Sequence, residues 1–415
     1  MDNYKHKDLG KQELISLLDE KIRIEKFLRG EVKELRFFIS NNCLPLHKRL
    51  RLFLTRLKGK LSKFKTFLPT KSKDGHKIEI KGEIENIDLL VLLPSDQIEI
   101  GGIATAYKMI KQLKSLDLKI YFLALTHDPS AIRGDLFITI DELHKVTNIN
   151  LLVTCGAETA SLARSIKKEI PQLKALMLVQ GPDPYFTPKW SDAESFLELI
   201  KEADQVVALS PFLKELSIIW GGRNIKTCIM GPDLNVYKML EESPSSSRNK
   251  ILLVTCRPNV NKGLMVLLPT LSVLKDMGWR IIGFGILPQH SMARVFDEFL
   301  GIIDESELCQ LYNRAKFVID PSYIEGLGRV ALEAAACGCL PIIQKRMSYD
   351  GMFNGANKPY LEIDNFLDPK LLIEAIESSE NFLDPIKISS LVESVSWQTG
   401  FESFEETVKR LTKLL

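Results

Sequence analysis

Short apolar runs alternate with amphipathic helical stretches through most of the sequence from residue 87 onward. The first three segments are the apolar run "IDLLVLLP" (87–94), the helix-like "GGIATAYKMIKQLKSLDL" and a second apolar run, "KIYFLALT". The alternation continues through "INLLVTCG", "KALMLVQG" and "ADQVVALS". Apolar runs of this length, separated by helices, are typical of parallel strands that are covered on both faces. The pattern predicts an α/β fold in which ligands bind beyond the carboxyl ends of the strands.

A polar, serine-rich break, "LEESPSSSRNK" (240–250), interrupts the alternation once. It restarts with "KILLVTC", "WRIIGFG", "KFVIDPS" and "LPIIQ" as strand candidates. A chain of 415 residues is long enough for two domains with appendages. We therefore predict two doubly wound, Rossmann-like domains that face one another across a cleft. The predicted segments are a basic helical region (1–84), a first domain (85–240), a second domain (241–395) and a helix that crosses back to the first (396–415).

The N-terminal region carries most of the positive charge. Residues 1–84 contain 21 lysines and arginines against 11 acids, and residues 47–73 contain ten basic residues and no acid. Apolar residues recur three and four positions apart in this stretch: Leu50, Phe53, Leu54, Leu57, Leu61, Phe64 and Leu68. Such an amphipathic basic helix is expected to lie on an anionic membrane surface, with packing against residues 11–39 or self-association as the alternative. We expect no nucleic-acid partner, because the stretch lacks aromatic stacking and zinc-ligand spacing.

The remaining composition indicates a cytoplasmic protein. No apolar run approaches the roughly 18 residues of a membrane-spanning helix, and "MDNYKHKD" is not followed by the apolar core of a signal peptide. The seven cysteines form no CxxC pair, which favours a reducing compartment and a packing role for Cys337 and Cys339. Together with the basic segment, this predicts a protein at the inner face of the cell membrane.

Two carboxylates occur in the most apolar helical stretch, "PSYIEGLGRVALEAAACGCLPII" (321–343). The helix is predicted to start at Gly326 or Leu327 and to end at Gly338. Glycines at such a helix start let the backbone approach a phosphate, which the unpaired N–H groups and the helix dipole favour. Glu325 would then lie at the mouth of the helix and Glu333 in its body.

A carboxylate in an apolar helix needs a hydrogen-bond donor. For Glu333 we consider a ribose diol, and for Glu325 the hydroxyls of a sugar attached to the far phosphate. The alternative is that these acids pair with Arg329 or Arg314, or cap backbone groups.

The stretch "EGLGRVALE" (325–333) resembles the Glu-x7-Glu signature of retaining, family-4-type glycosyltransferases. The similarity extends over "IIDESELCQLYNRAKFVIDPSYIEGLGRVALEAAACGCLPII" (302–343), "VTCRPNVNKGLMVLLPTL" (254–271), "CIMGPDLNVY" (228–237) and "VSWQTGFESFEETVKRL". The resemblance covers roughly residues 87–415 and implies the GT-B fold. It also implies transfer of a sugar from a nucleotide-diphosphate sugar with retained anomeric configuration.

The resemblance assigns a role to each matching residue. Arg257 and Lys262 are expected to neutralise the diphosphate, Glu325 to hold the transferred sugar, and Glu333 to bind the ribose. The backbone of Gly326, Leu327 and Gly328 is expected to donate to the donor. Gly101 and Gly102 match the glycine-rich loop of the first domain, although a Gly-Gly pair is also common in plain turns.

One position departs from the family pattern. Many members have a histidine where the strand "ALMLVQ" ends, and here the residue is Gln180, followed by "GPDPYF". This segment is similar to one in bacterial polysaccharide rhamnosyltransferases, which implies a deoxyhexose donor and makes Gln180 and Asp183 acceptor-side candidates. A turn made by Pro182 and Pro184 is the structural alternative. His127, which follows a predicted strand, is a further acceptor-side candidate.

Metal-dependent sugar transfer usually relies on an Asp-x-Asp pair, and the sequence contains none. We therefore expect no metal and no cofactor beyond the donor itself, with cations and a helix N-terminus stabilising the diphosphate. The acceptor is expected to be a polysaccharide or a lipid-linked glycan. The alternatives are a GT-B sugar-nucleotide epimerase and a catalytically inactive, membrane-associated scaffold.

Overall fold

The computed structural model describes residues 86–412 apart from short segments. The segments left out are 97–100, 127–136, 144–145, 147, 186, 188, 241–247, 346, 354–356, 367 and 380–383. The chain divides into two compact units, Met1–Lys73 and Asp74–Leu415, and every described residue belongs to the second. The basic segment 47–73 and His127 lie outside the described residues, so the predictions made for them stay predictions.

Seven parallel strands form the first sheet, in the order β3-β2-β1-β4-β5-β6-β7. They are β1 (Ile87–Ser95), β2 (Ile120–Thr126), β3 (Phe137–Ile138), β4 (Ile149–Cys155), β5 (Lys174–Val179), β6 (Gln205–Ala208) and β7 (Ile225–Thr227). Leu89 lies between Ile120 of β2 and Leu151 of β4, and all three side chains are buried. Burial on both faces explains why these strands are continuous apolar runs.

In the part of this half that the structure describes, five helices lie between the strands: α1 (Gly101–Gln112), α2 (Ile140–Leu143), α3 (Ala160–Glu169), α4 (Trp190–Glu202) and α5 (Pro211–Ile219). The start of α5 illustrates how local sequence sets their bounds. The Ser210 hydroxyl accepts a hydrogen bond from the Leu213 N–H, and Pro211 occupies the first turn, where no N–H donor is needed.

Six parallel strands form the second sheet, in the order β10-β9-β8-β11-β12-β13. They are β8 (Asn249–Cys256), β9 (Arg280–Gly285), β10 (Glu298–Phe299), β11 (Ala315–Asp320), β12 (Leu340–Gln344) and β13 (Leu361–Ile363). The helices of this half are α6 (Leu264–Asp276), α7 (Glu305–Arg314), α8 (Arg329–Ala336), α9 (Pro369–Ser379) and α10 (Pro385–Ser390).

The last helix, α11 (Trp397–Thr412), follows the second sheet but contacts the first. The Lys226 ammonium group lies 2.6 Å from a Glu406 carboxylate oxygen, and Lys174 donates to the Leu411 carbonyl at 2.8 Å. Trp397, which opens the helix, is 1% exposed. The chain therefore returns to its first half after completing the second.

Two parallel, doubly wound sheets confirm the predicted fold class. Four short edge strands, β3, β7, β10 and β13, were not predicted, because two or three residues are too few to show a periodic pattern. Among the described residues, no helix has the length and apolar content needed to cross a membrane.

Candidate functional site

The strand order of each sheet reverses once, and residues of the predicted site follow the strands at both reversals. In the first sheet the reversal lies between β1 and β4, and in the second between β8 and β11. The carboxyl ends of strands at such a switch point form the usual ligand crevice of an open α/β sheet. Gly101 and Gly102 follow β1, Arg257 and Lys262 follow β8, and Glu325 follows β11.

Arg257, Lys262 and Glu325 form one ion cluster at the second switch point. Arg257 Nη1 lies 3.0 Å and Lys262 Nζ 2.7 Å from the same oxygen, Oε1, of Glu325. Glu325 is 8% exposed, and a carboxylate at that depth needs cationic or hydrogen-bonding partners to remain charged. The structure therefore brings together the two cations and the acid that the sequence separates by more than 60 residues.

The loop between Glu325 and α8 is built from the two predicted glycines. Gly328 has φ 74° and ψ 49°, a left-handed conformation that an α-helix does not contain, and it caps α8. The prediction that the helix starts at Gly326 or Leu327 was therefore wrong, and α8 starts at Arg329. Gly338, with φ +70°, follows its last turn as predicted. The hydroxyl of Tyr349 donates to the Gly328 carbonyl, which fixes the loop.

Gln180 lies against Gly102, at the start of α1, and against Gly326, in the loop before α8. A Cβ on Gly326 would lie 1.8 Å from the Gln180 carbonyl oxygen, and a Cβ on Gly102 would lie 2.9 Å from Gln180 Oε1. Ser210 adds a hydrogen bond of 2.7 Å from its hydroxyl to the Gly326 carbonyl. The carboxyl edges of the two sheets therefore meet at Gly326, beside Glu325, and only glycine leaves room for that approach.

The other two loop residues of the predicted site have different surroundings. Gly101 adopts φ +58°, but a Cβ there would meet nothing within 4 Å, so its requirement for glycine is conformational. Leu327 is buried, at 5% exposed.

Glu333 pairs with Arg329 one turn earlier in α8. Arg329 Nη2 lies 2.8 Å from Glu333 Oε1, and Glu333 is 6% exposed. Arg314, the other arginine considered as a donor, is exposed on α7. The arginine alternative therefore describes the contact that Glu333 makes in this structure, and the ribose role stays a proposal.

Two acids follow neighbouring strands on the first sheet. Asp183 follows β5 and is half-buried, and Glu158 follows β4 and is exposed. Burial, with the Glu158 charge as a second cause, raises the pKa of Asp183 from 3.8 to about 7. Burial, followed by the charges of Asp183 and Glu158, also raises the pKa of Cys155. Asp183 is thus a carboxyl group that exchanges a proton near neutral pH, as acid–base and hydroxyl-binding groups do.

Glu158 was not predicted as a site residue. The available signal was its position, three residues beyond Cys155 at the carboxyl end of a central strand. Ligands of open α/β sheets bind beyond this end of the strands, so a polar residue there is a candidate site residue.

The sequence and the fold were compared with known proteins. Residues 297–381 match the family model "Glycosyl transferases group 1", and this region contains both Glu325 and Glu333. A search among curated proteins found no match.

Several solved structures share the fold over most of the chain. Sucrose-phosphate synthase from Thermosynechococcus elongatus is 15% identical, with a TM-score of 0.63, covering 79% of this chain and 100% of the other. HepE from Anabaena, in complex with UDP-glucose, is 16% identical, with a TM-score of 0.60, covering 79% and 100%. A glycosyltransferase from Rickettsia africae is 16% identical, with a TM-score of 0.60, covering 79% and 99%. The two-sheet part of this chain therefore has the GT-B fold of glycosyltransferase structures.

Proposed function

We propose that this protein is a retaining glycosyltransferase that moves a sugar from a nucleotide-diphosphate sugar to a polysaccharide or lipid-linked glycan. The observation that carries the proposal is the cluster of Arg257, Lys262 and Glu325 beside the Gly326–Gly328 loop. Two cations at the carboxyl end of β8 and the N-terminus of α8 provide a site for a diphosphate. The match of residues 297–381 to group 1 glycosyl transferases supports the same assignment.

Donor binding would redistribute the charges of this cluster. Arg257 and Lys262 bind the diphosphate oxygens, and Glu325 accepts hydrogen bonds from hydroxyls of the sugar. Glu333 accepts hydrogen bonds from the ribose. Because two side-chain cations already meet the diphosphate, transfer requires no divalent metal.

The transfer step breaks the bond between the anomeric carbon and the diphosphate oxygen, and the electron pair leaves with the diphosphate. The acceptor hydroxyl oxygen bonds to the anomeric carbon on the same face, and its proton passes to the departing phosphate. Arg257 and Lys262 stabilise the charge that develops on the diphosphate. Asp183 and Gln180 orient the acceptor hydroxyl, and His127 is the third residue that the sequence proposes for this role.

The segment "VQGPDPYF" (179–186) supports a deoxyhexose such as rhamnose as the transferred sugar. The basic, amphipathic residues 47–73 support recruitment to the inner face of the membrane, where lipid-linked acceptors are found. Flotation of the full chain and of a chain without residues 1–84 on vesicles with anionic lipid tests recruitment. Equal flotation of the two chains would reject it.

Incubation with radiolabelled nucleotide sugars and a membrane extract tests the activity. We expect free nucleoside diphosphate and a labelled glycan, with the anomeric configuration of the donor retained by NMR, and we expect Glu325→Ala to abolish both. Nucleotide binding without turnover would instead support the inactive scaffold, and an isomerised sugar nucleotide without acceptor would support the epimerase. A folded Glu325→Ala variant with full activity would disprove the site.

A further inference from the structure

The guanidinium group of Arg329 contacts three helices that belong to both halves of the fold. Its Nη2 lies 2.8 Å from Glu333 Oε1 on α8, and its Nη1 donates to the Thr105 hydroxyl on α1 at 3.2 Å. Its Cζ lies 5.3 Å from the ring centre of Trp397, the first residue of α11. One side chain thus joins the second acid of the Glu-x7-Glu stretch to α1, the helix that begins with Gly101 and Gly102.

The surroundings of Arg329 hold it in this position. Trp397 is itself fixed, because its indole Nε1 donates to Gln112 Oε1 at 2.9 Å. Lys108 Nζ lies 5.1 Å from the same ring, so two cations share one aromatic partner. The Arg329 side chain is 21% exposed. A planar guanidinium with an acid, a hydroxyl and an indole as neighbours has little freedom to rotate.

The carboxylate of Glu333 is held in place by this cation. Glu333 is 6% exposed, and within the described residues Arg329 is its ion-pair partner. Burial, and next the Glu333 charge, raises the pKa values of the Tyr237 and Tyr312 hydroxyls. A buried carboxylate without a charged or hydrogen-bonding partner is costly, so the ion pair with Arg329 fixes the position of the Glu333 carboxylate.

We propose that Arg329 is a positioning residue that couples nucleotide binding to α1 of the first domain. It holds the Glu333 carboxylate where it can accept from the ribose, and through Thr105 it links the occupied ribose site to α1, which begins with Gly101 and Gly102. This inference rests on the proposed function, because it takes Glu333 to be the ribose ligand.

The preference for ribonucleotides over 2′-deoxynucleotides tests whether Arg329 positions Glu333 at the ribose. Calorimetric titrations with UDP, GDP and their 2′-deoxy forms are made on the full chain. We expect the wild type to prefer a ribonucleotide about tenfold or more, as a hydrogen bond to a charged group implies. Arg329→Leu should reduce this preference to about twofold or less. Arg314→Leu, the matched change at an exposed arginine, should keep it, and Arg329→Lys, which restores charge without the planar fork, should recover part of it.

Hydrogen–deuterium exchange of the amides of residues 101–112 tests whether Arg329 and Thr105 couple nucleotide binding to α1. We expect UDP or GDP to protect this helix in the wild type. Thr105→Val, which removes only the hydroxyl, should lose the protection but retain the ribose preference. Full preference in Arg329→Leu, or full protection in Thr105→Val, would overturn the inference.

The outcomes also separate this inference from the proposed function. If the wild type binds none of the nucleotides, or prefers the 2′-deoxy forms, the ribose role of Glu333 fails and the inference fails with it. If the wild type shows the ribose preference and Glu333→Gln loses it while Arg329→Leu does not, only the role of Arg329 is wrong.

Discussion

Asp183→Asn should have a higher free energy of unfolding than the wild type at alkaline pH. At acidic pH the two proteins should be about equally stable. The pKa of Asp183 is raised from 3.8 to about 7 by burial and by the Glu158 charge. Between these values the folded protein keeps a proton that the unfolded chain releases, so the stability of the wild type falls as pH rises through this window. Asparagine does not titrate, and the variant escapes this loss.

The size of the effect follows from the two pKa values. A difference from 3.8 to about 7 corresponds to about 4 kcal/mol at a pH above both values. Because Asp183 is half-buried, solvent screens its charge, and we expect about 2 kcal/mol. Near pH 4 the folded protein is protonated at Asp183 and the unfolded chain is only about half ionised there, so the free energies of unfolding of Asp183→Asn and wild type should differ little.

Urea unfolding of the full chain at about pH 4.5 and about pH 8 measures this difference. Glu158→Gln should produce a smaller change of the same sign, because the Glu158 charge is the second cause of the raised pKa. Asp276→Asn, at an exposed aspartate of α6, should leave the profile unchanged. If the difference between Asp183→Asn and wild type is the same at both pH values, Asp183 does not titrate in this window and the reasoning is refuted.

Three further predictions concern the candidate site and its support. Glu325→Gln should reduce sugar transfer about 100-fold or more. The affinity for UDP or GDP should stay within about threefold of wild type, because the two cations that bind the diphosphate remain. A transfer assay and calorimetric titration measure the two effects. Gly326→Ala should destabilise the protein by about 1–3 kcal/mol and abolish transfer, since the new methyl group would lie 1.8 Å from the Gln180 carbonyl; normal activity would contradict the close approach. Trp397→Ala should destabilise by about 3–5 kcal/mol in urea unfolding, and a change below about 1 kcal/mol would show that the indole is not buried as described.

The sequence was sufficient for the parts of the fold that follow from local pattern. Central strands such as β8 and β11 are apolar runs because both of their faces are covered, and this composition is visible without a structure. Once both strands are assigned to one parallel sheet, their following loops must lie at the same edge. That argument places Arg257 and Lys262 near Glu325, and the structure shows the three side chains in contact.

Contacts between distant parts of the chain could not be predicted in the same way. Arg329 and Thr105 are 224 residues apart, and no periodicity or spacing relates them. The start of α8 was missed for a different reason. Glycine permits both helical and left-handed backbone, so the sequence alone does not decide which conformation Gly328 adopts.

The return of α11 to the first sheet also means that some contacts of the first half form only at the end of synthesis. The strands of the first half leave the ribosome long before residues 397–412 exist. Until then, Lys226 and Lys174 lack their partners in α11, and Gln112 and Lys108 lack the Trp397 indole. The first half therefore completes these contacts only after the last helix has been made, and a ribosome stalled before residue 397 would hold a nascent chain without them.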